Sequence, residues 1–340
     1  MKKLIIQIPC LNEAATLPAT IADLPRVVPG VDVVELLVVD DGSRDGTSEI
    51  ARDYGVDHVI RLRRNKGLAA AFMAGIDASL KRGADFIVNT DADNQYSGRE
   101  IPRLLAPLLA GEADIVIGDR NIAELQHMSW RKRQVQRLGS WVVRQVSNTT
   151  VPDTTSGFRA YTREAALRMT VVSEFSYTLE SIIQAGKKKM AIAHVPIQTN
   201  PRTRQSRLFD SPFSYIKKSG ATIVRIYAMY EPLKVFTYIG LIVFASGCVL
   251  ALRFVYYYLT APVFGPRMLQ SLIAAAILLI VGSQVLAIGL LADVISGNRK
   301  LLEDILYRVR SLEAPETTSA TREDTRAADS AAAGQGRWER

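Results

Sequence analysis

The sequence predicts an α/β domain with a mostly parallel sheet, followed by two membrane-spanning helices. Three observations support this prediction. Apolar strand-like segments alternate with helix-like segments over the first 200 residues, an order typical of parallel sheets. Three of the apolar segments end in aspartates, which places several carboxylates at one edge of the sheet. Near the C-terminus, uncharged runs of 18 and 25 residues are long enough to cross a membrane.

The elements of the first domain follow from the pattern of apolar residues. The segment VVELLVVDD (33–41) is typical of a strand buried on both faces, because its apolar run is nearly continuous. A Gly/Ser turn then precedes a helix, and an Ala-rich face marks a longer helix further on. In chain order, strands are predicted over 4–8, 33–41, 58–62, 85–93 and 114–120, and helices over 13–24, 47–54 and 67–82.

Composition excludes some kinds of site and leaves several partners open. The two cysteines and three histidines are scattered, which argues against a disulfide framework and against a zinc site of the usual spacing. The net charge is +8, and residues 187–227 hold nine Lys or Arg against one acid. Such a segment needs a polyanionic partner or a solvent-exposed face. Nucleic acid, a membrane surface and a phosphorylated substrate all satisfy this requirement.

Two uncharged segments, 235–252 and 268–292, predict a helical hairpin in a membrane. The short loop between them carries one cation, whereas Lys and Arg residues flank the opposite ends. Because cytoplasmic flanks are enriched in these residues, we expect a multi-pass protein of the inner (cytoplasmic) membrane with both termini cytoplasmic. The predicted organisation is a cytoplasmic α/β domain over 1–210, an amphipathic interfacial helix over 211–232, the hairpin over 233–293, a cytoplasmic helix over 294–313 and a disordered tail over 314–340.

Carboxylates at the strand ends suggest a metal site that binds a phosphorylated ligand. Asp40 and Asp41 end one predicted strand, Asp91 and Asp93 end another, and Asp119 ends a third. Because like charges at one sheet edge repel each other, a divalent cation is the economical explanation for the cluster. Oxygen ligands with few histidines favour Mg²⁺ or Mn²⁺. The chain has no GxxxxGK[ST] motif and no GxGxxG after the first strand, which argues against a P-loop NTPase and a dinucleotide-binding domain.

Several segments resemble family 2 glycosyltransferases, which have a Rossmann-like GT-A fold. The segments are PCLNE (9–13), VVDDGSRDGT (38–47), NKGLAAAFMAGI (65–76) and DADNQY (91–96). GDR (118–120), DTTSGFRAY (153–161) and RTRQSRL (202–208), followed by two spans, resemble the polyprenyl-phosphate type, which includes dolichol-phosphate mannose synthases and bacterial undecaprenyl-phosphate sugar transferases. The resemblance implies metal-dependent, inverting transfer of a sugar to a polyprenyl phosphate. A UDP-sugar is the favoured donor, and GDP-mannose also fits.

The resemblance also implies roles for named residues. It implies a divalent-metal site at Asp91, Asp93 and Gln95. It implies a nucleotide-sugar site at Pro9, Asn12, Glu13, Asp40, Asp41, Lys66 and Ala92. It implies an acceptor-phosphate site at Arg137, Ser156, Arg159, Arg204, Ser206 and Arg207. The catalytic residues implied are Asp91, Asp93, Asp153 and Arg120.

The role of Asp153 stays open at this point. A phosphate monoester is largely ionised near neutral pH, since its second pKa is about 6, so the acceptor needs no dedicated base. Asp153 is then a weak base, an orienting acceptor or a residue that caps the TTSG turn. The chain also departs from the family at Leu11, where an aromatic residue is frequent, at Ala14, where a second acid is frequent, and in the basic loop, which reads RQSR.

Other functions remain as alternatives. A membrane scaffold with a catalytically silent transferase-like domain would keep the same architecture, although the intact DxD and DTTSGFR segments argue against it. A processive polysaccharide synthase would carry a QxxRW motif, which the chain lacks. Nucleic acid is not expected as a partner, because the adjoining spans make lipid phosphate the simpler ligand of the basic segment. Small residues on the spans permit close helix packing and leave a homo-oligomer open: Gly240, Ala245, Gly247, Gly282 and Gly289.

Overall fold

A computed structural model describes residues 1–120, 149–172, 177–200, 212–260 and 266–315, together with positions 141, 143, 144, 146 and 147. Over 212–219 and 266–268 only the backbone is described. The chain divides into two compact units. One is Met1–Pro212 together with the segment from Tyr307 onwards, and the other is Phe213–Leu306.

The first unit is built on a seven-stranded sheet. Its strands are β1 (Lys3–Cys10), β2 (Val33–Asp40), β3 (His58–Arg61), β4 (Phe86–Asn89), β5 (Ile115–Asp119), β6 (Arg159–Thr162) and β7 (Ile192–Pro196). Their order across the sheet is β3-β2-β1-β4-β6-β5-β7. β6 is antiparallel to both of its neighbours, and the other pairs are parallel. The predicted mostly parallel sheet is confirmed. β6 and β7 were not predicted, because RAYT and IAHVP lack a continuous apolar run.

Helices cover both faces of this sheet. In the first unit they are α1 (Leu17–Asp23), α2 (Thr47–Asp53), α3 (Leu68–Lys81), α4 (Ile101–Leu109), α5 (Arg163–Arg168) and α6 (Tyr177–Lys187). Successive side chains of a strand point to opposite faces. Leu4 and Ile6 of β1 therefore belong to a core shared with α1 and α4. Gln7 faces α3, where Gly75 leaves room for its amide. The carboxyl ends of the parallel strands, and the loops that follow them, lie at one edge of the sheet.

The second unit contains α7 (Pro212–Tyr230), α8 (Pro232–Thr260) and most of α9 (Pro266–Glu313). Two of these helices are long and apolar enough to cross a membrane, and few of their residues are buried within the protein. The predicted cytoplasmic helix over 294–313 is the continuation of α9. Of the predicted tail, residues 316–340 lie outside the described part of the chain.

Glycines bring α8 and α9 into close contact. A Cβ atom at Gly282 would lie 2.7 Å from the backbone nitrogen of Phe244, and one at Gly240 would lie 2.8 Å from the Leu286 side chain. Gly289 and Gly247 meet Phe236 and Leu279 in the same way. These small residues pack the two spans against each other, so their presence gives no support to a homo-oligomer.

The last two turns of α9 belong to the first unit, where they pack on α3 and α5. Arg310 lies 3.0 Å from Asp77 of α3 and donates to the carbonyl oxygen of Met169 at 2.6 Å. The Tyr307 hydroxyl donates to Glu164 of α5 at 3.0 Å. The sequence predicted a helix here and gave no sign of these contacts.

Candidate active site

The carboxylate loop of residues 91–96 follows β4 at the edge of the sheet. Asp91 and Asp93 are both half-buried there. Desolvation and the neighbouring Asp93 carboxylate raise the pKa of Asp91 to about 7, although Arg120 opposes the shift. The backbone N–H of Gln95 donates to Asp93 Oδ1 at 3.2 Å. The structure therefore places the two aspartates of the DxD motif together, in surroundings that disfavour two negative charges.

Gly157 forms one wall of this loop. A Cβ atom at that position would lie 2.9 Å from Asp91 Oδ1, 3.1 Å from its Oδ2 and 3.0 Å from the Tyr177 hydroxyl. Only glycine therefore leaves the Asp91 carboxylate undisturbed. Gly157 was expected only as part of the acceptor-side DTTSGFR signature, and its contact with Asp91 was not predicted.

The residues of the loop fit a hard divalent cation. Asp91 and Asp93 supply carboxylate oxygens, and the buried side-chain oxygen of Asn94 has no hydrogen-bond partner in the structure as described. Within the described residues, no three His, Cys, Asp or Glu side chains form a metal-binding group. Phosphate oxygens of a ligand and water would complete the coordination shell. This donor set suits Mg²⁺ or Mn²⁺, which retain water and bind through one or two carboxylates plus phosphates.

Arg120 and Asp153 form a buried ion pair beside the loop. Arg120 Nε lies 2.7 Å from Asp153 Oδ2, and its Nη2 donates to Asp153 Oδ1 at 3.1 Å and to Thr155 Oγ1 at 2.8 Å. Burial alone would raise the pKa of Asp153, but the Arg120 charge and hydrogen bonds from Arg120 and Thr155 hold it below its ordinary value. Asp153 also accepts from the backbone N–H of Thr155 at 3.1 Å. Of the three roles left open, orientation of Arg120 and capping of the turn both match this geometry.

Arg159 and Ser156, expected at the acceptor phosphate, are fully buried. The Arg159 guanidinium donates to the carbonyl oxygens of Ser156, Thr154 and Thr178 at 2.8–3.0 Å, and to Ser181 Oγ at 2.6 Å. The Ser156 hydroxyl has no hydrogen-bond partner among the described residues. The donors of Arg159 hold the 153–157 loop against α6, and its expected contact with the acceptor phosphate stays a prediction.

Asp40 and Asp41, expected at the nucleotide, brace loops at the edge of the sheet. Asp40 is completely buried, accepts from the Ser43 backbone N–H at 2.7 Å and from the Ser48 hydroxyl, and lies 3.7 Å from Arg61. The Asp40 side chain is only 1% exposed, and its expected contact with a nucleoside stays a prediction. Asp41 accepts from the backbone N–H groups of Lys66 and Gly67 at 2.7 and 2.8 Å. Burial raises the pKa of Asp41 above its ordinary value.

The PCLNE segment turns sharply after β1 and packs on the loop after β2. Asn12 has a left-handed backbone with φ of 55°, and its N–H donates to Ser43 Oγ at 2.8 Å. Its side-chain oxygen accepts from the Arg44 N–H at 3.0 Å. The Glu13 N–H donates to Thr47 Oγ1 at 3.0 Å. The expected nucleotide residues of the two loops thus form one hydrogen-bonded edge.

The other expected nucleotide residues take three different positions. Pro9 is buried within β1, and Lys66 is exposed at the end of the loop that precedes α3. Ala92 is buried, and its carbonyl oxygen accepts from Thr20 at 2.9 Å.

An arginine-lined cavity of about 470 Å³ opens beside the same edge. Gly42, Ser43 and Leu62 line it together with Arg44, Arg61 and Arg63. Arg44 and Arg63 suit an anionic ligand, whereas Arg61 already lies near Asp40 and Glu49. These arginines were not among the expected site residues, although the run RLRR (61–64), which begins at the last residue of β3, could have indicated Arg61 and Arg63.

Four expected acceptor residues lie outside the described part of the chain: Arg137, Arg204, Ser206 and Arg207. Asn200 is the last described residue before the stretch 201–211, which contains three of these four. It donates through its backbone to the Gln95 carbonyl oxygen at 2.9 Å and through its side chain to that of Asn94 at 3.0 Å. The carboxylate loop is thus hydrogen-bonded to Asn200, within the basic segment of residues 187–227, a contact that the sequence did not indicate.

Fold and site together define an α/β domain with a carboxylate loop at one edge of a mostly parallel sheet, and comparison with known proteins gives its family. Residues 5–169 match the model of glycosyl transferase family 2. The chain is 31% identical to the undecaprenyl-phosphate mannosyltransferase of Micrococcus luteus, and the matched region covers 56% of this chain and 80% of the relative. This chain belongs to glycosyl transferase family 2.

Further relatives and solved structures agree with this assignment. The polyprenol monophosphomannose synthase of Mycolicibacterium smegmatis is 29% identical, over 59% of this chain and 78% of the relative. Glycosyltransferase AglJ of Haloferax volcanii is 28% identical, over 90% of this chain and 96% of the relative. The glucosyl-3-phosphoglycerate synthase of Mycobacterium tuberculosis, crystallised with Mn²⁺, UDP-glucose and phosphoglyceric acid, has a TM-score of 0.54 and 22% identity, over 67% of this chain and 80% of that chain. This structural similarity shows the GT-A fold.

Proposed function

We propose that this glycosyltransferase moves one sugar from a nucleotide diphosphate sugar to a polyprenyl phosphate at a membrane surface. The observation that carries the proposal is the Asp91–Asp93 loop, backed by Gly157 at the edge of a family 2 domain. Two helices able to span a membrane support a lipid acceptor. So do the names of two relatives, a polyprenol monophosphomannose synthase and an undecaprenyl-phosphate mannosyltransferase.

Asp91 and Asp93 would hold Mg²⁺ or Mn²⁺ on the diphosphate of the donor, with Gln95 and Asn94 nearby. When bound, the cation would neutralise negative charge that develops on the leaving diphosphate. The arginine-lined cavity and the Asn12–Ser43 edge would bind the nucleotide. The acceptor phosphate is already ionised, and attack from the face opposite the diphosphate would invert the sugar. Asp153 would orient Arg120 toward phosphate rather than remove a proton, because its pKa lies below its ordinary value.

The membrane arrangement is part of the proposal. We infer that α8 and α9 span the inner membrane and that α7 lies at its surface, with both termini in the cytoplasm. The basic loop of Arg204, Ser206 and Arg207, together with Arg137, would then meet the phosphate of the lipid where it leaves the bilayer.

The test is transfer of radiolabelled sugar to undecaprenyl phosphate by the full-length protein in membranes. The donor panel includes UDP-glucose, UDP-N-acetylglucosamine and GDP-mannose, because relatives are named both as mannosyltransferases and as a UDP-N-acetylglucosamine-dependent enzyme. A lipid-extractable product that disappears with EDTA is the expected result.

Asp91→Asn is expected to abolish transfer, whereas Asp53→Asn, a change of an exposed aspartate at the end of α2, is expected to leave it intact. Full activity of Asp91→Asn would remove the metal role. Absence of product from every donor, and of nucleotide binding, would instead favour the scaffold alternative.

A further inference from the structure

A buried polar cluster, formed by Gln7, Asn89 and Tyr177, lies beneath the carboxylate loop. All three side chains are excluded from solvent. Asn89 ends β4, two residues before Asp91, and its Oδ1 accepts from Gln7 Nε2 at 2.8 Å. Its Nδ2 donates to the Tyr177 hydroxyl and to the carbonyl oxygen of Gly157, both at 2.8 Å. The Tyr177 hydroxyl donates to the same carbonyl oxygen at 3.2 Å.

The cluster meets the metal-binding loop through the backbone of Gly157. The carbonyl group of Gly157 is held by Asn89 and Tyr177, and its N–H donates to the Tyr96 hydroxyl at 3.1 Å. Between these two fixed groups, the Cα atom lies against the Asp91 carboxylate, close enough that a Cβ would contact both carboxylate oxygens. Any movement of Gly157 would therefore change the space in which Asp91 sits.

The surroundings hold the cluster rigidly. The Tyr177 ring stacks on Phe72 of α3 with 4.0 Å between ring centroids and 3° between their planes. Arg159 donates to the carbonyl oxygens of Thr154 and Ser156, in the loop that leads to Gly157. Burying so many polar groups costs desolvation energy that their hydrogen bonds offset, and replacing hydrogen-bonded partners by apolar groups of the same shape can be nearly neutral. A polar cluster at this depth is thus better explained by the position it enforces than by stability.

We propose that Asn89 and Tyr177 are positioning residues for the divalent cation. They hold Gly157 against Asp91 and so fix the carboxylate in the orientation that binds the metal. This inference deepens the proposed function, on which it rests for the identity of the metal ligands. Hydrogen-bonded groups one step away from the ligands commonly orient them in this way.

Tyr177→Phe tests the proposal, because it removes the hydroxyl and keeps the stacked ring. Tyr161→Phe is the matched control: Tyr161 is also fully buried, with its ring centroid 5.9 Å from that of Phe72, but its hydroxyl lies near Arg159 and Ser181 and takes no part in the hydrogen bonds among Asn89, Tyr177 and Gly157. Binding of Mn²⁺ alone to the full-length protein in detergent is followed by electron paramagnetic resonance, together with the thermal unfolding midpoint. We expect Tyr177→Phe to weaken Mn²⁺ binding about tenfold and Tyr161→Phe to leave it unchanged.

A second pair of variants changes Gly157 itself and a control glycine, so that the proposal can still be tested if Tyr177→Phe folds poorly. Gly157→Ala should weaken Mn²⁺ binding, whereas Gly297→Ala, on α9 with nothing within 4 Å of an added Cβ, should not. Wild-type Mn²⁺ affinity in both Tyr177→Phe and Gly157→Ala would overturn the proposal. Equal weakening of Mn²⁺ binding in a variant and in its control would also overturn it. Absence of Mn²⁺ binding by the wild type would do the same.

The Mn²⁺ measurement uses neither sugar donor nor lipid acceptor. A wild-type protein that binds Mn²⁺ and transfers no sugar would therefore count against the proposed function, while the comparison of Tyr177→Phe with Tyr161→Phe would still decide the positioning role.

Discussion

The Arg120–Asp153 pair offers a sharp test of how the 153–157 loop is built. Asp153→Asn keeps the shape of the side chain and removes its charge. In the wild type, two nitrogens of Arg120 bind both carboxylate oxygens, at 2.7 and 3.1 Å, and the side chains of Asp153 and Arg120 are 1% and 17% exposed. An asparagine would offer one acceptor oxygen where the carboxylate offers two, and it would leave the guanidinium charge without this counter-ion.

The expected loss of stability follows from the burial of the pair. Removing one partner of a buried ion pair costs about 3–5 kcal/mol, because the other charge remains without compensation. Arg120 keeps some access to solvent, so the lower end of this range applies. For a domain of roughly 200 residues, about 3 kcal/mol corresponds to a fall of about 6–12 °C in the unfolding midpoint.

The assay is thermal unfolding of the full-length protein in detergent, with Asp53→Asn as the control for loss of an exposed carboxylate. An unchanged midpoint for Asp153→Asn would refute the inference that the pair stabilises the loop. If Asp153→Asn also lost all turnover, Asp153 would be better explained as a general base. We expect a lower midpoint together with reduced, but not abolished, turnover.

The difference in unfolding midpoint between the wild type and Asp153→Asn should depend on pH, which gives an independent check. The pKa of Asp153 in the folded protein lies below its ordinary value, so the pair stabilises the fold above the unfolded-state pKa of about 3.9. This stabilisation is lost as the pH falls through the lower, folded-state pKa. The gap between wild-type and Asp153→Asn midpoints should therefore be constant from about pH 5 to 8 and shrink below about pH 4.

Three further predictions concern other parts of the chain. Mn²⁺ affinity should fall as the pH drops through about 7, because the cation competes with the proton of Asp91, and calorimetry in two buffers should detect the released proton. Arg310→Met, which removes the contact with Asp77, should lower the unfolding midpoint by about 2–4 °C, and no change would show that the end of α9 is not held there. Gly282→Leu should destabilise the hairpin in detergent far more than Gly297→Leu, and equal effects would contradict the close packing of the spans.

Much of the fold was predictable because its strands have long apolar runs. β1, β2 and β4 are buried on both faces, and a continuous run of Val, Ile and Leu is the direct consequence of that burial. β6 and β7 escaped prediction for a physical reason. RAYT contains Arg159, and arginine is rarely buried. Here four acceptors surround its guanidinium, two from the loop just before it and two from α6.

The candidate site was predictable in part. The carboxylates of Asp91 and Asp93 follow a buried strand, and the topology of a parallel sheet brings such residues to one edge. The supporting contacts depend on pairs far apart in the sequence, such as Asn89 with Tyr177, which no local pattern reveals. A buried asparagine at the end of an apolar strand was the one available signal.

Aspartates near this edge of the sheet take two different roles in the protein, and sequence alone did not separate them. Asp40 binds Ser43 three residues later, and Asp153 binds Thr155 two residues later, so a nearby hydroxyl residue or turn marks an aspartate that braces its own loop. Asp91 has a raised pKa of about 7, since its charge is desolvated and opposed by Asp93. The negative charge of the sheet edge is thus neutralised within the protein at Asp40 and Asp153, whereas that of Asp91 is opposed by Asp93 and only partly offset by Arg120. This arrangement fits the proposed transfer from a nucleotide diphosphate sugar, because a bound cation would be the largest local charge in the site where the protein has not already supplied the counter-charge.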